Sequence, residues 1–122
     1  MTSKELLDLH DVTCVECKAI MRAKNSDYTG GKNSTDPFAN FKSSVVIGIH
    51  PVNGLLMRVL DKVQRIRSFV NDSELQVPDE SVEDACHDII NYAILAKAML
   101  REEREKNAKA KDNAPDTIRP LV

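Results

Sequence analysis

Tryptophan is absent and aromatic residues make up only 4% of the chain, so the sequence predicts an aliphatic core of Leu, Ile, Val, Ala and Met. That composition favours packed helices. No apolar run approaches the length of a membrane span, and the N-terminus MTSKELLDLHD lacks an apolar signal core. The expectation is a soluble, cytoplasmic protein with no membrane partner. Basic excess is missing as well: the formal charge is -2 and the isoelectric point about 5.9. A dedicated duplex-DNA surface would need a concentrated basic face. What is present, 122 residues at 42% hydrophobic and 30% charged, is enough for one domain with a modest core.

Three cysteines leave an odd thiol. Cys14 and Cys17 form a CxxC, and with Cys86 and either His10 or His87 they supply the donor types of a zinc site. The spacing is loose, however, and a redox CxxC expects a preceding strand, which ELLDLHD is not. Residues three apart share a helix face, where small thiols pack readily. Buried or half-buried free cysteines are the expectation.

Helical periodicity defines the first element. TSKE places Thr2 and Glu5 in capping-box register. Leu6, Leu9, Val12, Ala19, Ile20 and Ala23 then recur at helical spacing over about Ser3 to Lys24. Glu16 lies in line with Val12 and Ala19, as an edge residue or a functional one. The stretch KNSDYTGGKNSTDPFANF, Lys24 to Phe41, has the composition of a long polar loop. Its Gly30-Gly31 pair fits no phosphate-loop pattern. The loop offers Lys24, Asn25, Asp27, Tyr28, Asn40 and Phe41, donors and rings suited to a base and a phosphate, with a merely solvated loop as the alternative.

A second long helix is predicted from Pro51 or Asn53 to about Asn71. Val52, Leu55, Leu56, Val59, Val63, Ile66 and Val70 form its stripe at about 100° per residue. Arg58 and Lys62 flank the stripe and Arg65 lies just beyond. Asp61 falls on another side, close to Met57 and Leu60. A helix apolar on more than one side is expected to pack within its bundle and against a second chain.

The third helix follows DESVEDACHDIINYAIL, Asp79 to Leu95, with acids crowded at its start. Asp79 suits an N-cap after Pro78, and SVED forms a second possible box. Val82, Ala85, Cys86, Ile89, Ala93, Ala96 and Leu100 form the expected buried stripe. Asp84 and Asp88 are neighbours at i,i+4, and capping cannot explain Asp88, which is too deep in the helix. A half-buried carboxylate pair requires a cation, either Lys or Arg from a facing helix or a divalent metal. Beyond Leu100 mixed charges predict an exposed helix to about Lys109, ending the domain 1–109, and then a flexible tail over 110–122.

The succession KNSDY, PFANF, GIHPVNGLLMRVLDKVQRI and DESVEDACHDIINYAIL resembles the phage and bacterial family of nucleotide modification associated domain proteins. More remotely it is similar to the all-α nucleoside triphosphate pyrophosphatases of the MazG type. In those enzymes a helical ExxE and a later ExxD converge on magnesium, which binds the triphosphate and activates water. The resemblance implies magnesium at Asp84 and Asp88, with Glu80 and Asp61 as further ligands and the two aspartates catalytic. It departs at the earlier motif, where Asp61, Lys62 and Arg65 replace two acids. These bases either contact phosphate directly or pair with Asp84 and Asp88.

The resulting expectation is an all-α, MazG-like bundle of three long helices plus a short one, forming a homodimer or higher oligomer around a nucleotide. Magnesium-dependent hydrolysis of a nucleoside triphosphate to monophosphate and pyrophosphate is the leading function. The alternative is a non-catalytic nucleotide binder that sequesters a nucleotide signal or assists DNA base modification. A third reading is a structural bundle whose acids and bases only pair.

Overall fold

Thr2 opens the first helix as its sequence predicts. Its Oγ1 accepts the Glu5 N–H at 3.1 Å while Glu5 Oε2 accepts the Thr2 N–H at 2.7 Å, a reciprocal box that satisfies two otherwise orphaned donors. The computed structural model describes residues 1–28, 36–72 and 81–113. They form α1 (Ser3–Tyr28), α2 (Ala39–Lys42), a 3-10 turn (Ser43–Ile47), α3 (Pro51–Asp72) and α4 (Val82–Asn113). The fold is all-α, with no strand among the described residues. No single helix there is long and apolar enough to cross a membrane.

Two segments expected as loop are helical. α1 runs on through Asn25, Ser26, Asp27 and Tyr28, because none of these is Gly or Pro and their weak helix propensities cost only tenths of a kcal/mol apiece. Lys24 and Asn25 are therefore helical residues. Asn40 and Phe41 lie in α2. That turn starts at Asp36, whose Oδ1 accepts the Phe38 N–H at 2.9 Å and whose Oδ2 binds Lys42 Nζ at 2.7 Å. Gly30 and Gly31 lie outside the described residues, as do Asp79 and Glu80.

Gly48 ends the 3-10 turn at φ 77, the left-handed conformation that a residue with a Cβ adopts at a cost. His50 then caps α3, its Nδ1 accepting the Val52 N–H at 3.1 Å, and Pro51 occupies the first helical position, where a missing N–H costs nothing. The chain bends by 105° between the α2 region and α3. That bend lays Phe38 and Phe41 against α3 and α4. The core is Phe38, Phe41, Val52, Leu55, Leu95 and Met99, so the expected aliphatic core is corrected: two of the three phenylalanines are in it.

α4 begins at the second of its two possible starts. Ser81 and Asp84 exchange hydrogen bonds at 3.1 Å each, Ser81 N–H to Asp84 Oδ2 and Asp84 N–H to Ser81 Oγ. The helix continues four residues past the expected Lys109. Its buried residues are Ala85, Asn91, Leu95 and Met99, rotated from the predicted stripe. Cys86, Ala93 and Leu100 are exposed. The rotation follows from α4 packing between two partners, α3 on one side and α1 on the other. Leu6, Leu9 and Val12 in α1 also stay exposed, because only its C-terminal half meets α4, through Cys17.

Candidate functional site

Three pairs at helical spacing converge at one end of the bundle. Ile20 and Lys24 come from α1, Lys62 and Arg65 from α3, Asp84 and Asp88 from α4. With Ala85 they line an open cleft of about 360 Å³, within the size range of small-molecule sites. Asp88 is its hub: Oδ2 lies 3.0 Å from Lys62 Nζ and Oδ1 lies 3.4 Å from Lys24 Nζ. The Asp88 and Lys62 side chains are 16% and 17% exposed, so this pair is screened by water far less than a surface ion pair.

Arg65 is about one-third exposed and lies 3.6 Å from Asp61, one helical turn back. Asp84 is held by the Ser81 cap. Hydrogen bonds from the Ser81 backbone and then its hydroxyl, followed by the charges of His87 and Lys24, keep its carboxyl below the usual range. Three cations thus line the cleft against two carboxylates. Each lysine ammonium carries three N–H donors and spends one on Asp88, leaving the others for a ligand. The arrangement is suited to an anion.

The seating of α1 decides where Lys24 lies. Asn91, buried in α4, donates through Nδ2 to the Cys17 carbonyl at 2.9 Å. One turn earlier His87 Nε2 meets Glu16 Oε2 at 2.9 Å, which gives Glu16 its role at the helix edge. Lys24 is two turns beyond Cys17, on the same face, and so arrives at Asp88. Burial pushes the Cys17 thiol up, with smaller contributions from Cys14, Glu16 and Asp88, and it is a protonated thiol at neutral pH. All three cysteines are free, and the expectation of buried thiols holds only for Cys17: Cys14 and Cys86 are exposed, on helix faces turned away from the packing contacts.

The structure brings together Lys24, Lys62, Arg65, Asp84 and Asp88 of the residues singled out from the sequence. Others are elsewhere. Phe41 is 5% exposed in the core, with the Arg58 guanidinium stacked 4.9 Å from its ring centroid, a cation–π contact. Asn40 is exposed on α2 and its carbonyl accepts the Ser43 hydroxyl at 2.8 Å. Asn25 is exposed on α1, and Asp61 is mostly exposed beside Arg65. The side chains of Asp27 and Tyr28, and all of Glu80, lie outside the described residues. Ile20 and Ala85 were not foreseen in the cleft. Ile20 is one turn before Lys24, a spacing that placed it there in principle.

The two aspartates offer the hard oxygens that magnesium takes. Both oxygens of Asp88 face lysines, and Asp84 Oδ2 is bonded to the cap. Among the described residues no three of His, Cys, Asp and Glu gather around a common point.

Residues 52–100 match the family model described as Nucleotide modification associated domain 1. The match spans α3 and the first half of α4, and so contains Lys62, Arg65, Asp84 and Asp88 but not Lys24. No curated protein and no solved structure matches the chain.

Proposed function

We propose that the cleft binds the phosphate groups of a nucleotide through Lys24, Lys62 and Arg65. The observation carrying this reading is the convergence of three cations on an open cleft around Asp88. The similarity of residues 52–100 to a nucleotide modification family supports a nucleotide as the source of the anion. Asp88 orients the two ammonium groups toward the cleft. Arg65 offers its planar fork to phosphate oxygens. The protein in this reading is a nucleotide binder, suited to sequestering a nucleotide or presenting it for DNA base modification.

A second reading, hydrolysis of a nucleoside triphosphate as in the MazG-type pyrophosphatases, is favoured by one observation: Asp84 and Asp88 share the cleft with the cations. The two readings part in a single assay. A panel of nucleoside mono-, di- and triphosphates is tested for a rise in melting temperature and, with magnesium or manganese, for pyrophosphate release. The binder predicts a thermal shift without release. Release abolished by Asp88→Asn supports the hydrolase, and neither signal with any nucleotide overturns both.

A further inference from the structure

On the far side of α4 from α1 lies a second, wider groove. Its floor is apolar: Leu56 of α3 with Ala93, Ala96 and Leu100 of α4. Lys97, Arg101 and Arg104 form a basic rim along a volume of about 610 Å³. The rim residues recur at i, i+4 and i+7, so they run as one stripe beside the floor. Leu56 and Leu100, 47% and 52% exposed, are large apolar side chains without cover. A basic rim beside exposed leucines suits an amphipathic helix of acidic character.

The chain carries such a helix. Residues 3–12 of α1 are exposed throughout, continuing the half of the helix that packs on α4. Leu9, Val12 and Val15 are 49%, 53% and 71% exposed. At about 100° per residue they share one arc with Glu5, Asp8 and Asp11, turned away from the Cys17 and Met21 face that meets the bundle. From Ser3 to Glu16 a single lysine stands against four carboxylates. The helix is acidic and apolar where the groove is basic and apolar.

We infer that two copies of this chain associate reciprocally, the N-terminal half of α1 from each lying in the groove between α3 and α4 of the other. Both halves of the contact are on one chain, and with the copies related by a two-fold axis the contact forms twice and closes, whereas a head-to-tail arrangement would continue into larger species. Leu9, Val12 and Val15 cover Leu56 and Leu100, while Asp8 and Asp11 face Arg101 and Arg104. The cleft around Asp88 is lined by other residues and stays outside the contact, so this association stands apart from the nucleotide reading.

Sedimentation of the full chain at micromolar concentration tests it. The wild type sediments as a dimer, and its dissociation constant rises with added salt because rim charges contribute. The double variants Asp8→Lys with Asp11→Lys, and Arg101→Glu with Arg104→Glu, each weaken association at least about tenfold when alone. Their equimolar mixture restores the dimer, since both contacts in the mixed pair are again of opposite sign. All four substitutions in one chain restore it too. A wild-type monomer, a dimer indifferent to salt, or two well-folded variants that do not rescue each other would each overturn the assignment.

Discussion

Lys62 of α3 and Asp88 of α4 meet at 3.0 Å with both side chains about five-sixths covered, and this contact joins the two most extensively packed helices at the cleft. Its energy lies between that of an exposed pair and a fully buried one. Asp88→Ala leaves Lys62 mostly covered without this counter-charge, while Lys62→Ala leaves Asp88 with Lys24 alone, at 3.4 Å. Lys62→Ala and Asp88→Ala are each expected to cost about 1–3 kcal/mol, with a coupling of about 1 kcal/mol in the double-mutant cycle. Urea unfolding of the four proteins measures it. A coupling near zero would mean that the pair is no more than a surface contact.

The start of α4 makes a second prediction. Ser81→Ala removes the hydroxyl that accepts the Asp84 N–H but keeps the backbone N–H that donates to Asp84 Oδ2. The loss is expected to be about 0.5–2 kcal/mol. The Asp84 carboxyl should also titrate somewhat higher in the variant, since the backbone bond from residue 81, the largest influence lowering it, remains while the second, from the Ser81 hydroxyl, is lost. NMR titration of the Asp84 side chain reads that change; an unmoved midpoint would contradict the box.

Acid and alkaline stability should both report on Lys42. Its hydrogen bond to Asp36 is the largest cause lowering the Asp36 carboxyl and raising the Lys42 ammonium. Asp36 therefore contributes stability that is present above its unfolded pKa and is lost as pH falls through the lowered folded value. Lys42 contributes stability that is full below its usual 10.5 and is lost as pH rises through the raised value. Both groups are more than one-third exposed, so screening holds the contribution below about 1 kcal/mol. Lys42→Met should lower the urea midpoint at pH 7 and approach the wild type below the carboxylate range. A difference constant with pH would place the effect in packing.

The core makes a fourth prediction. Leu55 is 1% exposed at the centre of the cluster with Phe41, Leu95 and Met99, and Leu55→Ala should cost about 2–5 kcal/mol. Leu60→Ala, at an exposed position on the same helix, should cost under about 0.5 kcal/mol in the monomer. Thermal melts of the two variants give the contrast, and equal losses would contradict the packing of α3.

Much of this architecture is legible in the residues alone. The TSKE and SVED boxes and the Pro51 start of α3 rest on local hydrogen-bonding rules, and each is found. The depth of Asp88 within its helix already excluded capping and required a cation, and Lys62 was among the partners considered. The failures have two physical sources, helix propagation and tertiary placement. Asn25, Ser26 and Asp27 are weak helix formers, yet a helix already under way extends through them at small cost. The rotation of the buried face of α4 toward Asn91, Leu95 and Met99 depends on where α1 and α3 lie, which periodicity along one helix does not contain. Phe41 likewise changes from a candidate ring for a base to a core residue because the Asp36 turn and the bend before α3 bring it inward.

Calorimetric titration of nucleotides into the wild type and into Lys62→Ala and Arg65→Ala tests the central claim most directly. A nucleotide held by its phosphates should bind the wild type more weakly as salt rises, and each substitution should weaken it about tenfold or more, with removal of one charge-assisted contact costing about 1.5–3 kcal/mol. The effect of Asp88→Asn should be smaller than either, since the carboxylate orients the cations without touching the phosphate. Binding that survives Lys62→Ala and Arg65→Ala unchanged, or a wild type that takes up no nucleotide at all, would contradict the assignment of this cleft.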